Sequence, residues 1–255
     1  MGAELTDRVA VVTGGGRGLG FQIAQAYAQH GADVVIASRN AEHCAEVAAK
    51  LAADTGRRVL GVGCHVGRWA DCDALVETVY ERFGCVDILV NNAGMSPLYP
   101  ALPEITEDLF DKVIAVNLKG AFRLASLVGT RMARQRGGSI ININISSIAS
   151  VQPRPSEAPY AAAKAGLNTL GPALARAFSP SVRVNTIMAG PFLTDIAKSW
   201  DAEAFADRAR TAIPLGRGGE PHEIVGAALY LASDASSFTT GAVLKVDGGM
   251  AWAAG

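Results

Sequence analysis

Tyr160 and Lys164 stand four residues apart in the run Tyr160-Ala-Ala-Ala-Lys164. On a helix that spacing stacks both side chains on one face. A free tyrosine has a pKa near 10 and is a poor base at neutral pH. An ammonium held close favours the phenolate, so such a tyrosine becomes a usable acid or base. Ser147 precedes Tyr160 by 13 residues. Its hydroxyl can donate to a carbonyl oxygen as negative charge develops there. Asn117 sits among apolar neighbours, where a buried amide must find partners; it also reads as a helix-packing residue.

A second group of residues suits phosphate. Thr13-Gly14-Gly15-Gly16-Arg17-Gly18-Leu19-Gly20 follows one apolar run and opens a helical one. Glycines let a backbone approach a phosphate pair, and a helix N-terminus adds N–H donors and partial positive charge. The spacing is neither Gly-x-Gly-x-x-Gly nor a P-loop. The second apolar run ends in Ser38-Arg39. A carboxylate there would accept from the ribose 2′-hydroxyl of NAD; Arg39, with Arg17, suits a 2′-phosphate instead. Either arginine also reads as a solvated surface charge.

These residues need elements to hold them. Short β-branched runs (Val9–Thr13, Val34–Ser38, Val59–Val62, Ile88–Asn91, Ile140–Ile145, Val182–Ile187, Val243–Val246) alternate with helix-like stretches. The latter are Leu19–Gln29, Glu42–Ala53, Ala70–Phe83, Glu107–Met132, Ala158–Phe178 and Glu220–Ala232. Runs apolar almost throughout suit strands covered on both faces. The alternation predicts an α/β, Rossmann-type, doubly wound sheet of seven parallel strands with helices on both faces. Ligands then sit at the carboxyl ends of the strands. No linker divides the chain, so residues 1–255 read as a single domain.

Composition narrows the function. The chain has 255 residues, 49% hydrophobic and 18% charged, with 23 Lys plus Arg against 24 Asp plus Glu. That balance removes the broad electrostatic reason to expect nucleic acid or an anionic membrane. No apolar run approaches the roughly 20 residues of a membrane helix. The first residues carry no signal-like pattern, and the expectation is a cytoplasmic protein. Cys44, Cys64, Cys72 and Cys85 form no CxxC pair, so reduced thiols and no metal site are expected.

Taken together, these motifs resemble the short-chain dehydrogenase/reductase family over essentially the whole chain. The Thr-Gly-x-x-x-Gly-x-Gly loop, Asn91-Asn92-Ala93-Gly94, the Asn117–Ser147–Tyr160–Lys164 set and Asp247-Gly-Gly249 carry the resemblance. Pro214-Leu-Gly-Arg-Gly-Gly-Glu-Pro221 resembles 3-oxoacyl-thioester reductases and sugar dehydrogenases. The resemblance implies an NADP(H)-dependent oxidoreductase acting on a small carbonyl or alcohol, NAD(H) being the alternative cofactor. Tyr160 would exchange the proton, Lys164 would lower its pKa and hold the nicotinamide ribose, and Ser147 would orient the carbonyl. Asn117 would hold a water joining Lys164 to solvent. The cofactor would lie along Thr13, Gly14, Gly16, Arg17, Gly18, Leu19 and Gly20, then Ser38, Arg39, His65 and Val66. It would continue past Asn92, Ala93 and Gly94 to Tyr160, Lys164, Gly190, Pro191, Phe192 and Thr194. A non-catalytic dinucleotide sensor is the other reading, and it predicts a damaged catalytic set.

Departures from the family pattern matter. His65-Val66 replaces Asp-Val, so His65 is either an adenine contact or a plain loop residue. The strand before Ser147 is two residues longer than usual, which keeps its faces or forces a bulge. Ala189-Gly190 replaces Pro-Gly, and Pro172 is expected to kink its helix. The substrate lining reads as mixed: Leu98, Tyr99, Phe192 and Trp200 beside Arg154, Glu157 and Asp195, with no single charge clearly placed. Phe192 to about Arg210 reads as a mobile lid, with a permanently packed helical insertion as the other reading. Arg131, Arg134 and Arg136 suit either an acidic carrier protein or a helix C-terminus. Small residues (Ala121, Ala125, Ala161, Ala162, Ala165, Gly166) and the apolar tail suggest a homotetramer, or at least a dimer.

Overall fold

The computed structural model describes residues 4–145, 150–151, 153–195 and 201–252, with Ile145 and Trp252 by backbone alone. Ser147 and Trp200 lie outside the described residues. Seven strands form one parallel sheet: β1 (Val9–Thr13), β2 (Asp33–Ser38), β3 (Val59–Gly63), β4 (Ile88–Asn91), β5 (Gly138–Ile145), β6 (Val182–Ala189) and β7 (Val243–Val246). Their order is β3-β2-β1-β4-β5-β6-β7. The direction of winding reverses between β1 and β4, which opens a crevice at their carboxyl ends.

Two apolar layers explain why the strands are apolar throughout. Ala10, Val12, Val34 and Ile36 point to one face, where they meet Ile23 and Tyr27 of α1 (Gly18–Gln29), Leu51 of α2 (Ala41–Thr55) and Ala228 of α8 (Val225–Ala232). Val9, Val11 and Val35 point to the other. There they meet Leu75 and Val79 of α3 (Trp69–Phe83), Leu124 and Val128 of α5 (Gly120–Arg134) and Leu174 of α6 (Ala158–Phe178). The alternation is the two-residue side-chain period of a strand serving two cores.

The lengthened β5 is regular. It pairs with β6 from Gly138↔Val182 to Ile145↔Ala189 at constant offset, so no bulge forms through Ile145. Asn142 and Asn144 keep one face and are both fully buried. Pro172 lies inside α6, whose bounds match the expectation.

Three expectations are corrected. The helix expected over Glu107–Met132 is broken into α4 (Glu107–Ile114), a π turn at Ala115–Lys119 and α5. Beside the π turn, Gly120 packs so closely that a Cβ there would lie 2.2 Å from the Val66 carbonyl oxygen. The segment before Pro214 contains a helix, α7 (Ala202–Ala212), which is compatible with either reading of that segment. Asp201 caps it by accepting from the Glu203 and Ala204 N–H groups, and its Ala209 packs with Ile213 and Met250. Phe192 is buried in the main core and bridges Gly219, so it anchors this segment and is no free lid aromatic. Finally, Ala121, Ala125 and Ala161 are buried inside the protomer, as are Met250 and Ala251 of the tail. They offer no surface to a second copy.

The arginine cluster is mostly engaged. Arg131 pairs with Glu77 and lies over the Tyr80 ring, and Arg136 Nε pairs with the buried Asp87 at 2.6 Å. Asp87 also accepts from the Val9 N–H at 2.7 Å, tying the starts of β1 and β4. Among the described residues one helical run, Glu107–Arg134, is long and apolar enough by composition to cross a membrane, although charged residues interrupt it throughout. In the fold Val113, Leu124, Val128 and Met132 of that run are buried.

Candidate active site

The carboxyl end of β1 is knitted to that of β4. The Thr13 hydroxyl donates to Val90 O and accepts from the Asn92 and Ala93 N–H groups. Asn92 Nδ2 donates to Thr13 O and Gly14 O. Thr13, Asn92 and Ala93 therefore shape the loop from within. At Gly20 a Cβ would fall 2.3 Å from Gly14 O and 2.4 Å from Asn92 Nδ2, so only glycine closes the turn there.

Helix α1 begins directly after this loop with no side-chain cap and no acidic residue in its first turn. Its first N–H groups, from Gly18 to Gly20, are left for an anion. The Leu19 side chain is buried in the core, so only its backbone is available. Arg17 and Arg39 are exposed at this end, and neither guanidinium forms an ion pair or hydrogen bond among the described residues. Ser38 Oγ lies 2.9 Å from Cys44 Sγ. His43 was not singled out from the sequence, yet its Nε2 lies 3.1 Å from Gly16 O. The only signal was its place in the first turn of the helix after Asn40, which caps α2.

Beyond β3, His65 Nδ1 accepts from the Gly67 N–H at 3.2 Å. A neutral ring then carries its proton on Nε2 and can donate. Val66 is buried in the core. Across the crevice, a Cβ on Gly18 would lie 3.5 Å from the Thr194 methyl, which brings the loop after β6 over the glycine loop. Gly190 packs against Asp247, whose carboxylate accepts from the Gly249 and Ala251 N–H groups. Pro191 O accepts from the Gly219 N–H.

The chemical end lies past β4 and β5. Lys164 is 2% exposed, and its Nζ donates to Ile143 O at 3.2 Å. Burial lowers its pKa to about 8. Nζ lies 5.6 Å from the centroid of the Tyr160 ring. The helix carrying both residues is bracketed to the sheet by Asn144, whose Nδ2 donates to Lys164 O and Asn168 Oδ1. Asn117 projects from the π turn; its Nδ2 donates to Met95 O and Val113 O, and its Oδ1 accepts from the Met95 N–H. A Cβ on Gly94 would lie 2.9 Å from Asn117 Oδ1 and 3.8 Å from Lys164 Nζ. So Gly94, Asn117, Tyr160 and Lys164 are brought together. Contrary to the expectation that Lys164 lowers it, the Tyr160 pKa is pushed upward by burial, helped by Glu157, which keeps the hydroxyl protonated. Tyr160 opens onto an apolar recess shared with Pro97, Tyr99, Leu109, Val113, Glu157 and Pro159.

The glycine loop, the uncapped helix start, the two open guanidinium groups and the Lys164 ammonium form one donor set along the crevice. It fits a phosphate-bearing dinucleotide. No group of His, Cys, Asp and Glu suited to a metal occurs among the described residues.

Known proteins are similar to this chain over nearly its whole length. A family model described as enoyl-(acyl carrier protein) reductase matches residues 14–251. The chain is 40% identical over 252 residues to 3-oxoacyl-[acyl-carrier-protein] reductase of Chlamydia trachomatis, covering 98% of this chain and 100% of that protein. It is 39% identical over 248 residues to D-threitol dehydrogenase of Mycolicibacterium smegmatis, covering 96% and 94%. The crystal structure of gluconate 5-dehydrogenase from Burkholderia cenocepacia, in complex with NADP and tartrate, superposes with a TM-score of 0.92. The two chains are 36% identical, with 99% and 98% covered.

A buried ammonium leaves a stability signature. Lowering its pKa from 10.5 to about 8 penalises the fold by on the order of 3 kcal/mol wherever Lys164 stays charged. The penalty is complete below pH about 8, because both states then hold the proton. It fades as pH rises toward 10.5, where only the unfolded state holds it. Lys164→Met in the ligand-free protein should therefore melt higher than wild type at pH 7, with the gap closing toward pH 10. Thermal unfolding across that range checks this; an equal or lower melting point at pH 7 would contradict it.

Proposed function

The chain belongs to the short-chain dehydrogenase/reductase family, and on that premise we propose that it is an NADP(H)-dependent oxidoreductase interconverting a small carbonyl compound and its secondary alcohol. The observation that carries the reading is the buried Lys164 ammonium placed with Tyr160, Asn117 and Gly94 at the carboxyl ends of the strands. The cofactor preference is supported by Arg39 and Arg17, and by the absence of a carboxylate where β2 ends. The NADP held by the gluconate 5-dehydrogenase relative supports it too.

When bound, the nicotinamide supplies or accepts the hydride; the chain aligns and polarises. In the reductive direction the Tyr160 hydroxyl gives its proton to the substrate oxygen. A raised pKa suits that role, because the acid form is the one present beforehand. The Lys164 ammonium then stabilises the phenolate left behind. Ser147, carried over by resemblance, would orient the carbonyl. Asn117 holds the Met95 segment beside Lys164. Both its amide hydrogens are spent on main-chain carbonyls. A water relay through this side chain would therefore use Oδ1.

Two further readings belong to the proposal. Assembly into a homotetramer would use the exposed Phe110 of α4 and Phe122 of α5, together with Ala162, Ala165 and Gly166 of α6. Closure over a ligand would move α7 as a body, since Phe192 is held in the core.

Tyr160→Phe should cut NADPH-dependent ketone reduction by about 100- to 10,000-fold while NADPH still binds nearly as before. Steady-state kinetics with fluorescence titration of NADPH checks this, and near-normal turnover would place the chemistry elsewhere. Arg39→Ala should weaken NADPH by about 10- to 100-fold, as expected for a lost charge-assisted contact, and leave NADH within about threefold. Equal losses for both cofactors, or a wild-type preference for NADH, would overturn the NADP assignment.

A further inference from the structure

One carboxylate oxygen in the recess has no hydrogen-bond partner among the described residues, on a glutamate that is itself half-buried. Glu157 Oε2 is buried and accepts no hydrogen bond. The residue ends a 3-10 turn (Pro155–Glu157) and occupies the N-cap position of α6, three residues before Tyr160. A carboxylate there usually accepts from the first helix N–H groups. At this cap no side-chain hydrogen bond forms, so the expected structural duty is left undone.

Glu157 is also held in place. Tyr99 Oη donates to Pro155 O at 2.5 Å and accepts from the Ala158 N–H at 2.9 Å, clamping the chain on both sides of it. The Glu157 N–H donates to Arg154 O at 3.0 Å. Both Tyr99 hydroxyl bonds are thereby spent on backbone. The rest of the recess is apolar: Pro97, Leu109, Val113 and Pro159, with Tyr160 at its reacting end. Arg154 is exposed, and among the described residues no cation is seen paired with Glu157.

A buried carboxylate oxygen without a partner is costly, and a ligand bringing its own cation would relieve that cost. Spacing of i, i+3 puts Glu157 and Tyr160 on the same helix face. From this geometry we propose that Glu157 selects substrates bearing a protonated amino group near the reacting carbonyl; this rests on the carbonyl-reduction reading above. The Glu157 carboxylate receives the ammonium while Tyr160 addresses the substrate oxygen. Anionic substrates are disfavoured by the same charge. The influence of Glu157 on the Tyr160 hydroxyl agrees with their closeness.

The test uses binding, so that it does not depend on turnover. Cyclohexylammonium and cyclohexanol have the same ring and differ in the group offered to the carboxylate. Titration calorimetry of the protein at pH 7.5 should show the amine binding about 10- to 100-fold more tightly, the range of one charge-assisted hydrogen bond. Glu157→Gln should bring the ratio to within about threefold, and Glu157→Asp, which keeps the charge, should retain a clear preference. A wild-type ratio near one, or a ratio that survives in Glu157→Gln, would overturn the proposal. If Asp and Gln lose the preference alike, Glu157 serves the shape of the turn and the proposal also fails. An inactive wild-type enzyme with an intact amine preference would sink only the reductase reading. Ketone reduction without the preference would sink only this one.

Discussion

A lysine ammonium buried against a sheet is the constraint around which the rest of this molecule is arranged. Charge in a low-dielectric interior is unfavourable, and Lys164 responds with a pKa near 8. What holds it there is packing: the sheet below, α6 carrying it, and the carbonyl of Ile143 at the end of β5. In the proposed mechanism the same burial would let the Lys164 charge favour a phenolate once Tyr160 has given up its proton, while burial and Glu157 hold the resting hydroxyl protonated.

The placement of Lys164 depends on features that look incidental when taken singly. The lengthened β5 keeps register with β6, so Ile143 and Asn144 present a carbonyl and an amide to the same helix. At the π turn Asn117 is hydrogen-bonded to both the N–H and the carbonyl of Met95, and Gly94 lies close to its Oδ1 and to Lys164 Nζ. π turns are rare and often mark functional sites. The glycine loop is built by the same logic, since Thr13 and Asn92 spend their side chains on shaping backbone.

Much of this was legible in the sequence because of how parallel sheets are buried. A strand covered on both faces reads as a continuous apolar run, and Val9–Thr13, Ile88–Asn91 and Val243–Val246 appear with their bounds unchanged. Helix α6 was equally legible despite Pro172. The departures have physical causes. The π turn adds no signature to the 3.6-residue pattern, so Ala115–Lys119 reads as one helix with its neighbours. Helix α7 buries one narrow edge and is mostly exposed, which weakens its apolar period. Phe192 looks like a loop aromatic until the bridge to Gly219 folds it inward. Glu157 and His43 gain meaning only from contacts across the fold, with the recess and with Gly16 O. Composition also misled: small residues such as Ala121 and Ala125 serve packing within the protomer.

The central claim is that this crevice passes a hydride between NADP(H) and a carbonyl carbon, with Tyr160 handling the proton. The most direct measurement follows the label. Purified wild-type protein is incubated with a prochiral cyclic ketone and NADPH deuterated at the nicotinamide C4 position, in ordinary water. Mass spectrometry and NMR of the product should find one deuterium, on the carbinol carbon, in a single stereochemical configuration, and none on oxygen. Binding of both cofactor and ketone without any labelled alcohol, or an alcohol with hydrogen from water at that carbon, would contradict the account.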